Sequence, residues 1–150
     1  MKNRAAFTMV ELVFVIVIMG ILAAVAIPKL AASRTDAEIA KGRANIAAVR
    51  SGVVTERQER LFRGDSTYAA TLDGLGATSS ANDLLFTTVL QQGIPHKATS
   101  NGWRKTALRE YQYRISTTDI EFEYDNTNGT FDCNRSLPNA SGRYCKDLTE

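Results

Sequence analysis

A single carboxylate lies near the start of a long apolar stretch. Glu11 follows Phe7 closely, and Leu12 to Ile27 is an unbroken run of apolar residues and glycine. A carboxylate at the centre of a bilayer costs about 2.5–3.5 kcal/mol on insertion scales, so such residues usually have a partner. We expect Glu11 to need a cation. A chain cut between Ala6 and Phe7 would supply one, because the new amino terminus of a neighbouring copy is positively charged.

The two cysteines lie close together near the end of the sequence, at Cys133 and Cys145. They enclose a segment rich in turn formers, namely Asn134, Pro138, Asn139 and Gly142. In an oxidising compartment the pair should form a disulfide. Closing so short a loop stabilises a folded chain by roughly 3 kcal/mol on the chain-entropy estimate. Two free thiols in a cytosolic protein are the alternative; a zinc site is not expected, because there is no CxxC pair.

The other polar residues predict neither an enzyme nor a cofactor. His96, the one histidine, follows Pro95 and is interpreted as a loop residue, and there is no glycine-rich phosphate loop. Asp125, Asn128 and Asp132 could offer oxygens to calcium, but the ligand pattern is incomplete. We prefer a plain turn stabilised by Asp and Asn side chains, and expect no metal.

A basic stretch with one aromatic residue lies around the start of the C-terminal third of the chain. It consists of Lys97, Trp103, Arg104, Lys105 and Arg109. This composition suits a surface that contacts DNA. Solvated surface is the preferred interpretation, because the formal net charge is only +2 and indicates no nucleic-acid or acidic partner.

The apolar stretch from Phe7 to Ile27 matches a membrane span. As a helix it would extend about 30 Å, the thickness of a bilayer core. Lys2 and Arg4 precede it, so the positive-inside rule places the amino terminus in the cytoplasm. The C-terminal part is then outside, where a disulfide can form.

Three interpretations of this segment compete. One is a cleaved secretory signal, for which Ala24-Val25-Ala26 supplies a small-residue cleavage site. Another is an uncleaved membrane anchor. In the third, Glu11 directs assembly by pairing with the amine of a neighbouring chain after cleavage before Phe7.

The third interpretation is supported by a family resemblance. Residues 6–12, Ala-Phe-Thr-Met-Val-Glu-Leu, resemble the class III signal of type IV pilins and type II secretion pseudopilins. Gly20 and Pro28 fall where that family has a helix-loosening glycine and a kinking proline. Ala6 stands where the family normally has glycine. The resemblance covers about the first 30 residues.

The resemblance implies specific roles for these positions. Prepilin peptidase would cut after Ala6 and methylate the new amino group of Phe7. Glu11 would pair with a neighbour's amine during assembly, and the helix would loosen between Gly20 and Pro28 in the filament.

The apolar pattern continues beyond Pro28 at helical spacing, which a secretory signal would not do. Apolar residues near one face are Leu30, Ile39, Ile46, Val49, Val53 and Leu61. The predicted organisation is a leader at 1–6, a transmembrane and filament-core helix at 7–28, an amphipathic continuation at 29–62 and a globular domain at 63–150.

The globular part is predicted to end in a small antiparallel sheet. Apolar residues alternate with polar ones at 111–115 and again at 120–124, and a turn at 125–129 precedes a third strand at 130–133. Residues 63–106 look like a connecting region of variable structure, with a helical turn or two near Leu84 to Leu90. The fold class is α+β, with the long helix packed on the sheet in a pilin-like arrangement.

The expected function is therefore structural: a prepilin of a type IV pilus or a type II secretion pseudopilus. Its partners would be copies of itself or homologous subunits, prepilin peptidase, the inner-membrane assembly platform and the lipid bilayer. The chain would cross the bacterial inner membrane once, with its C-terminal domain in the periplasm, before entering a filament. The alternative is a periplasmic or secreted binding domain with an ordinary signal peptide or anchor.

Overall fold

The computed structural model describes residues 7–99 and 101–150, and its fold is α+β. Helix α1 spans Met9–Phe62 and is followed by six strands and a second helix. The strands are β1 (Leu84–Leu85), β2 (Ile94–Pro95), β3 (Gly102–Ala107), β4 (Glu110–Ile115), β5 (Thr118–Asp125) and β6 (Thr130–Cys133); α2 spans Ala140–Thr149. The chain divides into two compact units, one up to Asp36 and one from Ala37 to Glu150.

The part of α1 within the second unit contributes one face to the domain core. Ile46, Val49 and Val53 are buried, as their helical spacing predicts. Leu61, which the same pattern included, is 49% exposed. It lies in the last turn of α1, where the helix ends in a reverse turn.

A glycine ends α1. Gly64 has a φ of 85°, in the left-handed region that residues with a Cβ avoid. Its N–H donates to the carbonyl of Leu61 at 3.0 Å, and the N–H of Asp65 donates to the carbonyl of Arg60 at 2.9 Å. These two bonds satisfy carbonyls that the end of a helix leaves without partners.

The main sheet is a four-stranded antiparallel meander in the order β3-β4-β5-β6. The strands predicted from alternation are confirmed as β4, β5 and β6. Their inward residues form most of the core: Tyr111, Tyr113, Ile115, Ile120, Phe122, Tyr124 and Phe131 are all buried. Tyr113 also donates from its hydroxyl to the carbonyl of Glu38 at 2.8 Å, which ties the sheet to α1.

Two features of the connecting region differ from expectation. Gly102–Ala107 forms the edge strand β3, paired with β4, instead of irregular structure. Leu84 begins a two-residue strand that pairs with Ile94–Pro95, and a single turn follows it. The helical turn or two predicted near Leu84 to Leu90 is therefore found in part: Leu84 and Leu85 form a strand, and the N–H of Leu90 donates to the carbonyl of Phe86 at 2.8 Å, which closes one turn.

The C-terminal segment predicted as a disulfide loop is largely helical. Asn139 caps α2, and its side chain accepts from the N–H of Gly142 at 3.2 Å. Cys145 and Leu148, three residues apart on α2, are both buried. The disulfide between Cys133 and Cys145 is present and joins β6 to this helix.

Two glycines in α1 are explained by close packing. A Cβ on Gly42 would lie 2.7 Å from Cε1 of Tyr113 and 2.5 Å from a methyl carbon of Leu148. A Cβ on Gly52 would overlap the carbonyl oxygen of Val89. Glycine costs about 1 kcal/mol of helix propensity, and here it lets the sheet, α2 and the connecting region approach the helix.

Candidate functional site

The start of α1 is capped by the residues that carry the predicted assembly signal. The N–H of Glu11 donates to Oγ1 of Thr8 at 3.2 Å, and the N–H of Leu12 donates to the Thr8 carbonyl at 3.1 Å. Thr8 thus satisfies donors that a helix start leaves unpaired. Thr-x-x-Glu is also the sequence pattern of a capping box, which by itself predicts a helix start at Thr8. The carboxylate of Glu11 lies in the first turn, where the helix dipole favours negative charge.

The apolar side chains that follow are exposed. Phe7 is 76% exposed, and the helix contains a window of mean hydropathy 2.9 of which no residue is buried. This is the one helix, among residues 7–99 and 101–150, that is long and apolar enough to cross a membrane. Each large apolar side chain left in water forgoes about 1.5–3 kcal/mol of burial. The segment therefore needs an apolar environment that its own chain does not provide.

Glu11 lies at the head of this exposed segment, and no lysine or arginine forms an ion pair with it within the part of the chain that the structure describes. A cation from outside those residues is what the carboxylate would need in lipid.

The remaining predicted signal residues are placed as follows. Gly20 and Pro28 both lie inside α1, which continues through them without a break. A Cβ on Gly20 would meet nothing within 4 Å. Ala6 lies outside the described residues. Cleavage before Phe7, its methylation and the loosening between Gly20 and Pro28 stay predictions.

Comparison with protein families gives a match over the same segment. Residues 1–27 match the family described as the prokaryotic N-terminal methylation motif, which is the class III signal of type IV pilins and pseudopilins. The chain carries a prepilin signal. No curated protein matches the chain, and no solved structure matches it. The prepilin signal and the apolar helix together fit membrane anchoring with the C-terminal domain outside.

The basic stretch predicted from sequence is not a continuous surface. Trp103 is 1% exposed and Lys105 is 3% exposed, because alternate residues of β3 face the core. Both the DNA-contact and the solvated-surface interpretations are therefore wrong for these two residues. Arg104 points to the other face of the strand, where it pairs with Asp119 at 2.7 Å.

Lys105 instead belongs to a buried ion pair. Its Nζ donates to Oδ1 of Asp73, and both side chains are fully buried. Tyr111 donates to the other carboxylate oxygen of Asp73 at 2.9 Å, and burial raises the pKa of Tyr111 well above its usual range. Buried charges need such partners. The pair ties the segment after α1 to the sheet.

The three residues considered for calcium stabilise local structure. Oδ1 of Asp125 accepts from the N–H and hydroxyl of Thr127, and hydrogen bonding to Thr127 lowers the pKa of the Asp125 carboxyl. Asn128 accepts in the same way from Thr130. Asp132 pairs with Arg50 and Arg135. Asp125 and Asn128 thus stabilise turns through their own hydrogen bonds, as the turn interpretation predicts. Asp132 does lie near Cys133 and Cys145, but both sulfurs are in the disulfide.

His96 is more enclosed than a surface loop residue, with 8% of its surface exposed. Its Nδ1 lies 2.5 Å from the hydroxyl oxygen of Ser79, and that oxygen accepts from the N–H of Lys105 at 3.1 Å. The histidine thereby fastens the connecting region to β3. Within residues 7–99 and 101–150, no carboxylate is hydrogen-bonded to the His96 ring, the arrangement that orients the histidine of a catalytic triad.

Proposed function

We propose that this chain is the precursor of a structural filament subunit of a type IV pilus or a type II secretion pseudopilus. Residues 1–6 are a leader that prepilin peptidase removes after Ala6, and the same enzyme methylates Phe7. The helix over residues 7–28 then holds the subunit in the inner membrane until it enters the filament core. Residues 29–62 continue the helix, and residues 63–150 form the globular domain in the periplasm.

The observation that carries this proposal is the methylation motif at residues 1–27 on an apolar helix whose side chains are exposed. In a filament those side chains pack against the helices of other subunits, and in the membrane they contact lipid. The subunit's partners are copies of itself or homologous subunits, prepilin peptidase and the assembly platform. Its role is structural, and we assign it no catalytic activity.

Glu11 selects the position of the incoming subunit. Its carboxylate pairs with the methylated amine of Phe7 on a neighbour, which neutralises both charges in an apolar environment. Helix loosening between Gly20 and Pro28 adapts the segment to the filament, because proline removes one helix hydrogen bond and Gly20 has little intrinsic preference for the helix.

The mature amino terminus tests the pathway directly. Mass spectrometry of protein from native membranes, with and without prepilin peptidase, should find methylated Phe7 only when the peptidase is present. A terminus after Ala26, or an intact Met1, would instead indicate an ordinary exported or anchored domain and contradict the proposal.

Variants at Glu11 separate its two roles. Glu11→Gln keeps a side chain that can complete a capping box but removes the charge, so we expect normal membrane insertion and a loss of at least tenfold in sheared filaments. Glu59→Gln, on the same helix but outside the apolar segment, is the matched control and should assemble normally. Normal filaments from Glu11→Gln would rule out the charge pairing.

A further inference from the structure

A polar cavity of about 480 Å³ lies where the last turns of α1, residues 66–68 and the β5–β6 turn meet. Its volume falls within the ~300–1,000 Å³ of small-molecule sites. The described wall consists of arginine, serine, threonine, tyrosine and asparagine side chains and includes no aliphatic residue and no carboxylate. A ligand with several oxygens would find many hydrogen-bond partners among these side chains.

Arg57 supplies the charge in this cavity. Its guanidinium carbon lies 4.0 Å from the ring centroid of Tyr68, a cation–π contact that orients the planar group. Tyr68 is in turn backed by Gly129, since a Cβ at that glycine would overlap the tyrosine ring. Within the described residues no oxygen accepts a hydrogen bond from the Arg57 guanidinium. The side chain is thus oriented, and its donors remain available.

The amides in the cavity are also biased towards donating. Oδ1 of Asn126 accepts from Arg109 at 2.6 Å, and Oδ1 of Asn128 accepts twice from Thr130. Oδ1 of Asn128 has both lone pairs in use, whereas Asn126 keeps one lone pair on Oδ1 and both Nδ2 hydrogens. Because the amino group of Asn128 also donates to Asp125, Asn126 has the more available amino group.

The neighbouring carboxylates do not cancel the charge of Arg57. Asp65 accepts from Thr67 and pairs with Arg60 at 3.2 Å, and Asp125 accepts from Thr127. Neither lines the cavity. The cavity therefore combines a guanidinium that forms no ion pair within the described residues with amide and hydroxyl donors.

We propose that this cavity binds an acidic saccharide. The carboxylate of a sugar acid would take the planar fork of Arg57, which matches carboxylate geometry through two parallel hydrogen bonds. The ring hydroxyls would accept from Nδ2 of Asn126 and exchange hydrogen bonds with Ser66 at the rim. The inference does not depend on processing or assembly, because the site belongs to the C-terminal unit alone.

Calorimetry on the full chain in detergent micelles tests this binding with three probes: a trimer of galacturonic acid, a neutral trimer of galactose and a hexaglutamate peptide. We expect saturable binding of the acidic trimer and at least tenfold weaker binding of the other two. Equal affinity for the neutral sugar would overturn the role of charge, and equal affinity for the peptide would overturn the assignment to a saccharide.

Two pairs of variants locate the site. Arg57→Gln should weaken binding of the acidic trimer at least tenfold, whereas Arg63→Gln, with the same charge change outside the described cavity wall, should change it less than twofold.

Asn126→Asp keeps the oxygen that accepts from Arg109 but replaces the amino donor by a second oxygen, so its affinity for the acidic trimer should also fall at least tenfold. Its matched control is Asn134→Asp, whose oxygen accepts from the N–H of Ser136 in a similar turn outside this cavity.

Near-UV circular dichroism shows whether each variant keeps the native domain, so a folding defect is not counted as a loss of binding. Equal effects of Arg57→Gln and Arg63→Gln would contradict the proposal, as would normal binding by a folded Asn126→Asp variant.

Discussion

The apolar half of α1 and the C-terminal domain follow opposite rules for burial. The large apolar side chains from Phe7 to Ile27 are exposed, and none of the residues in the most apolar part of this helix is buried. In the domain, by contrast, a lysine and an aspartate are fully buried. The difference teaches that the apolar helix depends on its surroundings for apolar contacts, whereas the domain builds its own core and pairs the charges that it buries there.

The single tryptophan makes the comparison measurable. Trp103 is 1% exposed and packs against Phe122 at a centroid distance of 5.1 Å, within the domain core. Its fluorescence during denaturant unfolding of the full chain in micelles therefore reports on the domain and not on the apolar helix. The predictions below use this signal.

The largest expected effect comes from breaking the buried ion pair. Lys105→Ala leaves the carboxylate of Asp73 without its cation, and such a change typically costs about 3–5 kcal/mol. The matched control is Arg135→Ala, which breaks an exposed pair with Asp132 and should cost less than about 1 kcal/mol. Similar losses in the two variants would mean that the domain does not depend on internal charge compensation.

Adding one methyl group to each region should change the domain's free energy of unfolding by an intermediate amount in one region and not at all in the other. Gly52→Ala places a Cβ against the backbone of Val89, and overpacking of this kind costs about 1–3 kcal/mol despite the gain in helix propensity. Gly20→Ala meets nothing within 4 Å and should leave the domain's free energy of unfolding unchanged. A destabilised domain in Gly20→Ala would contradict the separation of the two regions.

The smallest expected effect is a pH dependence of the domain's free energy of unfolding, which arises from an ion pair on the outer face of the sheet. Hydrogen bonding from Arg114 holds the pKa of Asp119 below its usual value, and Arg104 assists. Because the folded pKa is lower than the unfolded value of about 4, this contribution is complete above pH 4 and is lost as the pH falls through the folded pKa.

Asp119→Asn tests this contribution. The difference in free energy of unfolding between the native chain and the variant should be less than about 1 kcal/mol at pH 6 and should shrink towards pH 3. A difference that grows with acid would reverse the assigned direction.

Parts of the domain could be predicted from sequence because their signals are local. The alternation at Tyr111, Tyr113 and Ile115 identified β4, since side chains of a strand point to opposite faces in turn. The sequence prediction does not include α2, because Pro138, Asn139 and Gly142 favour turns, although Asn139 is also a favoured N-cap residue. The spacing of Cys145 and Leu148 was the available signal for a helix.

The polar cavity and strand β3 illustrate what sequence patterns did not reveal. The cavity wall joins Arg57 and Tyr68 to Asn126, which lies far from both in the chain. These residues share a wall only after the domain folds. Lys105 looked like a surface residue because its partner, Asp73, lies 32 positions earlier. No local pattern reports a contact at that separation.

The sequence by itself determined the prepilin signal, the apolar span and the pairing of Cys133 with Cys145. Each of these follows from residue types at short spacing and from their transfer between water and an apolar phase. Only the tertiary structure decided that Lys105 is buried, that Gly52 must lack a side chain and that Arg57 faces a cavity. These depend on which distant segments come into contact, and the free energy of a buried charge or a close approach is set by those neighbours.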